Sequence, residues 1–435
     1  MPVFTSSIEV TADYPTIKPS LNLNFARARA LDPRITFTRA SVGTYVGRDG
    51  RIKTAGNNEA RFDHDPVTLE SLGLLIEESR TNIVYGGPGQ SNLVVTSGQA
   101  NSLTGSNDAY KLAKNTPSSN SQSHGGWSIN GNVSTTSYIM SVFVKKINHS
   151  KFFLQTTVAS ADNLYVYVDI DTGVTSHTDY TASGNLTVTT SIETYTDGWY
   201  RIICRVEGSA TNTINSGFRF GFGDPTSGSQ QYANGDDEVL VYGAQIEDGS
   251  FATSYIPSVD SSSSVTRQAD SPYIDGESFD EFYNQSEGTI VSSHSILEGI
   301  SATHNLYTYQ VAPDSGTAEA PFRLLDRNGA YGNTLVATSI NSSANVCFFK
   351  ASGDPVTVAN TKMKVAFAIK KNDFAVSFNG TATQTDTAGL VSGDNDHLSI
   401  GYYKPSPQAY LNGHIQRLTY YPKRLTNAQL QLLSS

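Results

Sequence analysis

In Tyr138-Ile139-Met140-Ser141-Val142-Phe143-Val144-Lys145-Lys146, Tyr138, Met140, Val142 and Val144 fall on one side of an extended chain. Ile139, Ser141 and Phe143 fall on the other. A period of two belongs to a strand, because the apolar positions of a helix return every three to four residues. The pattern repeats downstream. Phe152, Leu154, Leu164, Tyr165, Val166, Tyr167, Val168 and Ile170 supply two further strands ending in the turn Asp171-Thr172-Gly173. Thr187-Val188-Thr189, Trp199-Tyr200-Arg201-Ile202-Ile203-Cys204-Arg205-Val206, Phe218-Arg219-Phe220-Gly221-Phe222 and Val239-Leu240-Val241-Tyr242-Gly243 continue the series. Short strands separated by turn residues predict a β-sandwich over residues 85–258. Trp199 is expected in its core.

The composition agrees. Charged residues make up 16% of the 435 residues, against roughly 25% in an ordinary soluble domain. Ser, Thr, Asn, Gly and Tyr, which suit sheets and turns, fill the difference, and long helices are not expected. Thirty Lys and Arg against forty Asp and Glu leave a net charge of −10, which argues against a nucleic-acid-binding face. No apolar run reaches the 18 or more residues of a membrane-spanning helix, so membrane insertion is not expected. Cys204 and Cys347 stand far apart with no CxxC partner and are read as reduced core thiols. Met1-Pro2-Val3-Phe4-Thr5-Ser6-Ser7 has no basic or apolar leader region, so maturation in a reducing cytoplasm is expected.

Flanking regions extend the all-β reading. Residues 1–84 read as a strand-rich arm too poor in apolar clusters to fold alone. Within it, Tyr45-Val46-Gly47-Arg48-Asp49-Gly50-Arg51-Ile52 is a hairpin turning at Asp-Gly, and Leu72-Gly73-Leu74-Leu75-Ile76 is an apolar run of strand length. Pro257-Ser258-Val259-Asp260-Ser261-Ser262-Ser263-Ser264 opens a Ser-rich linker assigned to residues 259–286. A second sandwich is expected over 287–435, with strands at Leu306-Tyr307-Thr308-Tyr309-Gln310, Met363-Lys364-Val365-Ala366-Phe367-Ala368-Ile369 and Ile415-Gln416-Arg417-Leu418-Thr419-Tyr420-Tyr421. Asn379-Gly380 is a tight turn, and Thr426 caps a short helix through Leu433.

Longer motifs carry a resemblance. Pro33-Arg34-Ile35-Thr36-Phe37-Thr38-Arg39-Ala40-Ser41, Arg61-Phe62-Asp63-His64-Asp65-Pro66 and Gly73-Leu74-Leu75-Ile76-Glu77-Glu78-Ser79-Arg80-Thr81-Asn82 resemble a module of tailed-bacteriophage structural proteins, many of them marine. Met140–Lys146, Asp197-Gly198-Trp199-Tyr200-Arg201, Tyr242-Gly243-Ala244-Gln245-Ile246-Glu247, Phe251-Ala252-Thr253-Ser254-Tyr255-Ile256-Pro257 and Ser264-Val265-Thr266-Arg267 resemble the carbohydrate-binding-module-like jelly roll that follows it. Phe378-Asn379-Gly380 and Gly413-His414-Ile415-Gln416-Arg417-Leu418-Thr419-Tyr420-Tyr421-Pro422-Lys423-Arg424-Leu425 resemble a concanavalin A-like (laminin-G-like) domain of the same proteins. The resemblance implies a virion protein of the tail or capsid surface, assembled in the host cytoplasm. Its implied role is a tail fibre or receptor-binding protein, a homotrimer contacting other virion proteins and host surface glycan. Alternatives are a capsid-decorating or purely architectural virion protein and a polysaccharide depolymerase.

No catalytic constellation accompanies it, and no enzyme is expected. There is no HExxH, no G-x-S-x-G and no Gly-rich phosphate loop. No pair of Glu residues at the spacing of glycoside hydrolysis sits in a confident strand of the C-terminal region. Asp63-His64-Asp65 could be imagined as a metal or acid–base cluster, but it reads as a surface loop in which Arg61 pairs with a carboxylate. Sugar binding asks for exposed aromatic faces with polar groups beside them. The Tyr-rich loop Gly401-Tyr402-Tyr403-Lys404-Pro405-Ser406-Pro407-Gln408-Ala409-Tyr410 supplies Tyr402, Tyr403 and Tyr410 as candidates, and Trp127 is another. Asp394 and Asp396 lie in a turn whose oxygens suit calcium, the one cofactor considered, although a solvated turn is the simpler reading.

Overall fold

The computed structural model of the chain describes residues 14–435 except 92, 115–123, 130–132, 159–161, 180–185, 231–235, 259–262, 298–304, 314–319, 328–333, 342–343, 352–358 and 405–408. These described residues are almost entirely β-structure, in antiparallel sheets with two short helices. Two compact units form, and they do not follow chain order. One comprises residues 39–71 and 79–269, and the other comprises the described residues up to 38 together with 72–78 and 270–435. The segment 1–84, read as an arm, is therefore shared between both units.

In the unit built around 79–269, the 26-residue strand Trp199–Asp224 runs through two layers. Its first half pairs Val133–Lys146 on one side and Leu186–Thr194 on the other. Glu238–Asp248, Ser106–Lys114 and Leu93–Asn101 extend that layer. Its second half pairs Lys151–Val158 and His124–Ile129, and Asp162–Asp169, Thr175–Asp179 and Val84–Ser91 complete the other layer. The alternation read from the sequence decides what fills the space between. Tyr138, Met140, Val142 and Val144 enter the main core beside Ile202, Cys204 and Phe218. Phe143, of the opposite parity, joins a smaller cluster with Trp199 and Tyr255 on the other face. Trp199 is fully buried, as expected.

Short segments from residues 39–71 and 79–82 complete this unit. Gly43–Val46 and Ile52–Ala55 form the expected hairpin, with Gly50 at φ 73° in the Asp49-Gly50 turn. Arg80–Asn82 pairs Val265–Arg267, which the sequence had assigned to the linker. Asp63-His64-Asp65 is not a surface loop. Phe62–His64 is a strand, Asp63 accepts the Val46 amide at 2.7 Å, and Asp65 accepts the amides of Val67 and Thr68. Arg61 is fully buried, donating to the Thr44 carbonyl at 3.0 Å and the Ser254 hydroxyl at 2.8 Å.

The other unit is a sandwich of two sheets. Gln384–Asp386, Phe374–Phe378, Met363–Lys370, Glu287–Ile296 and Gly413–Tyr421 lie side by side in one. The far edge of Gly413–Tyr421 is shared: Leu74, Leu75 and Ile76 pair its start, and Leu21–Leu23 pairs its end. The second sheet runs Thr36–Thr38, Ser271–Asp275, His397–Ile400, Leu306–Ala312, Ala320–Arg327, Thr334–Asn341 and Ala344–Lys350. Phe322 and Phe349 of the second sheet meet Phe367 of the first edge-to-face at 5.3 and 6.1 Å. Residues 263–286 are thus no linker. Besides two strands they hold a helix, Gly276–Asp280, whose Phe279 packs on Phe282 and Tyr283, and Tyr283 stacks on Tyr420. Asn379 and Gly380 both take positive φ, as their turn requires. Helix Asn427–Ser434 begins at the predicted cap, where Thr426 and Gln429 form a reciprocal capping box.

Both cysteines are buried and free, and burial pushes each thiol up to about 12. Among the described residues no helix is long and apolar enough to cross a membrane.

Candidate functional site

The outer face of the second sheet in the C-terminal sandwich gathers the aromatic residues. Strand parity places Tyr307, Leu325 and Val336 in one outward row and Gln310, Arg323 and Thr338 in the next, with a bulge between Tyr307 and Tyr309. After His397–Ile400 the chain turns at Gly401, whose φ of 78° only glycine adopts without strain, and folds back. The Gly401 position also abuts Ile76, where an added Cβ would lie 2.8 Å from the side chain. Tyr402 pairs with Tyr410 as an isolated bridge, closing the loop on itself.

The structure separates the tyrosine candidates by role. Tyr402 and Tyr410 stack on each other at 5.9 Å and are only 8% and 5% exposed. The Tyr410 hydroxyl meets the Ser271 hydroxyl at 3.3 Å, and desolvation pushes the Tyr402 phenol up. These two are loop anchors and not an exposed platform. Tyr403 is different. Half-buried, it stacks on Tyr307 with ring centroids 4.7 Å apart and planes 20° from parallel. The Arg323 guanidinium lies 5.0 Å from the Tyr403 ring centroid and 5.7 Å from that of Tyr307. Phe348 packs into the same cluster with Leu325, Val336 and Ala409. Lys404, next along the chain, sits in the field of Asp275, which opposes the lowering of its pKa by burial.

Tyr307 and Arg323 were not picked out from the sequence. The only signal is their outward parity, which neighbouring polar strand residues share. Nothing local says that Tyr403 returns onto them.

Trp127 is corrected outright. It is 4% exposed, packs on Phe218 at 5.6 Å and belongs to the jelly-roll core. Gly125-Gly126 before it is strand, paired with Phe220 and Arg219. Trp127→Phe is accordingly expected to cost about 1–2 kcal/mol of stability, checked by thermal melting.

Asp394 and Asp396 do flank a turn. Asp394 is exposed with φ 58°, and the turn is held by the buried Asn395 between them. The Asn395 amide nitrogen donates to the Ser392 carbonyl at 2.8 Å, and its backbone N–H donates to the Gln285 side chain at 3.1 Å. Among the described residues no group of three or more His, Cys, Asp and Glu side chains gathers as metal ligands.

No protein-family model matches the chain, and no curated protein matches it significantly. Among solved structures it is similar to the native heptameric SAP-like pentraxin from Limulus polyphemus, at 17% identity over 34% of this chain and 70% of that one, TM-score 0.28. It is also similar to the Ruminococcus gnavus IT-sialidase CBM40 bound to alpha2,3 sialyllactose, at 17% identity over 35% and 84%, TM-score 0.29. The toad ovary galectin in complex with N-acetylgalactose matches at 11% identity over 32% and 92%, TM-score 0.23. At such TM-scores the functional reading rests on the site itself.

Proposed function

We propose that the chain is a structural protein of a tailed-phage virion that binds glycan on the host surface through the outer face of its C-terminal sandwich. One observation supports the glycan reading most: the half-buried Tyr403 ring lies parallel on the buried Tyr307 ring, with the Arg323 guanidinium beside the pair. An aromatic plane takes the apolar face of a sugar ring, while a fixed polar group beside it reads hydroxyls or charge. The virion assignment draws on the motif resemblance. A homotrimer in contact with other virion proteins would present three such faces and turn weak single-site affinity into avidity.

The test is binding of the labelled chain to host cells and to immobilised oligosaccharides. Tyr403→Ala is expected to weaken saturable binding about tenfold, close to 1.4 kcal/mol. Binding of the intact chain that Tyr403→Ala leaves unchanged would move recognition off this face. A purely architectural virion protein is the second reading, and the burial of Tyr402 and Tyr410 favours it. A folded chain that binds no glycan would leave that reading standing.

A further inference from the structure

The ligand class can be narrowed from the state of Arg323. Its guanidinium lies against two aromatic rings, and among the described residues no carboxylate stands in ion-pair range and no acceptor meets it. Nε is buried without a hydrogen-bond partner, although the residue as a whole is only partly buried. In a chain of net charge −10 this is an unusual state, since acidic groups outnumber basic ones. Other cations of the same unit do have carboxylates: Arg34 meets Asp32 at 2.8 Å, and Arg424 meets Asp373 at 2.8 Å.

Directly across the strand register stands Gln310, only 1% exposed, with its Oε1 atom also lacking a hydrogen-bond partner. A buried donor and a buried acceptor thus lie on neighbouring strands of one face, each costing free energy while unmatched. Guanidinium takes anionic oxygens through paired N–H donors, an amide oxygen takes a hydroxyl, and Tyr403 takes a flat apolar face. A single ligand that satisfies all three is a hydroxylated ring carrying an anionic group.

Resting on the glycan reading above, we infer that this face selects acidic sugars, rings bearing a carboxylate, sulfate or phosphate, and that Arg323 is the residue that discriminates them. Neutral sugars would meet only the Tyr403 stack and the Gln310 amide oxygen. Arg323→Gln removes the charge while keeping a polar side chain of similar reach. Arg323→Lys keeps the charge but loses the planar fork.

The experiment uses the full chain on an oligosaccharide array carrying uronate and sialylated glycans, their carboxyl-reduced counterparts, and sulfated and phosphorylated glycans. Titration of each hit follows at low and high salt. Preferential binding to an anionic set, at least tenfold weaker for Arg323→Gln, intermediate for Arg323→Lys and weakened by salt, supports the inference. The set retained identifies the anion. Equal binding to uronates and their reduced forms, with no preference for the sulfated or phosphorylated sets, overturns acidic selection while leaving the glycan reading intact. Anionic preference that survives Arg323→Gln overturns the role of Arg323. Absence of binding to every glycan by a chain that melts normally overturns both readings together. Melting curves of both variants within a few degrees of the parent exclude misfolding as the cause of lost binding.

Discussion

Glu247→Ala is expected to lower the melting midpoint of the jelly-roll unit by about 10 °C, the result of losing about 3–5 kcal/mol in a domain of roughly 200 residues. Glu247 is fully buried. Its carboxylate accepts the Thr253 amide at 2.9 Å, the Thr253 hydroxyl at 2.7 Å and the Gln245 side-chain amide at 2.8 Å. Gln245 in turn accepts the Ile256 amide at 2.7 Å. Asn82 closes the circuit, donating to the carbonyls of Ala244 and Ile256 while accepting the amides of Val84 and Ile246. Arg267 donates to the hydroxyls of Thr253 and Ser254, and Arg61 reaches Ser254 from the other side.

Removing one carboxylate therefore orphans several donors where water does not replace it. Glu247→Gln, which keeps one carbonyl oxygen, is expected to lose less than half as much. Differential scanning calorimetry decides the matter. A Glu247→Ala midpoint within two degrees of the parent would show that this network is decoration and not the tie between residues 39–82 and 244–267.

Gly73→Ala is expected to destabilise the C-terminal sandwich by at least about 3 kcal/mol, combining a positive-φ penalty with overpacking against backbone. Gly73 has φ 97°, and an added Cβ would lie 2.3 Å from the Ile415 carbonyl oxygen and 2.8 Å from the Gln416 Cα. Neither is the movable end of a side chain. The matched control is Gly276→Ala. That residue also has positive φ, at 54°, but meets nothing within 4 Å, so only the conformational cost of about 1 kcal/mol applies. Denaturant titration of both variants separates the two contributions. Equal losses at the two positions would mean that the strand Ser71–Ile76 can shift off Gly413–Tyr421 without penalty.

These two sites explain why the recognisable motifs carried little about the ligand. Glu247, Thr253, Arg267, Arg61 and Asn82 all lie in stretches that bear the family resemblance, and all are structural ties. Arg323 and Gln310, proposed to meet sugar, and Tyr307, the buried ring behind Tyr403, lie outside every such stretch. Tyr403 was legible because it sits in a Tyr-rich, Pro-punctuated loop. Tyr402 and Tyr410 looked equivalent and were not, because Tyr402 faces the opposite way from its neighbour Tyr403 and Tyr410 pairs and stacks on Tyr402.

Local chemistry was readable directly. Alternation over Tyr138–Lys146, the Asp49-Gly50 and Asn379-Gly380 turns and the Thr426 cap each follow from the conformational limits of a few consecutive residues, and each stands in the structure. Tertiary structure alone decided which face of a strand is covered and which edge a stray strand completes. A period of two divides side chains into two sets without saying whether one set or both will be buried. So Trp127 lies in a core and Asp326 and His294 sit fully buried between sheets, 3.8 Å apart, although nothing in their local sequence demands it. Leu21–Leu23 and Leu74–Ile76 likewise find a strand more than 300 residues away, because burying apolar surface and pairing backbone reward contact regardless of separation along the chain.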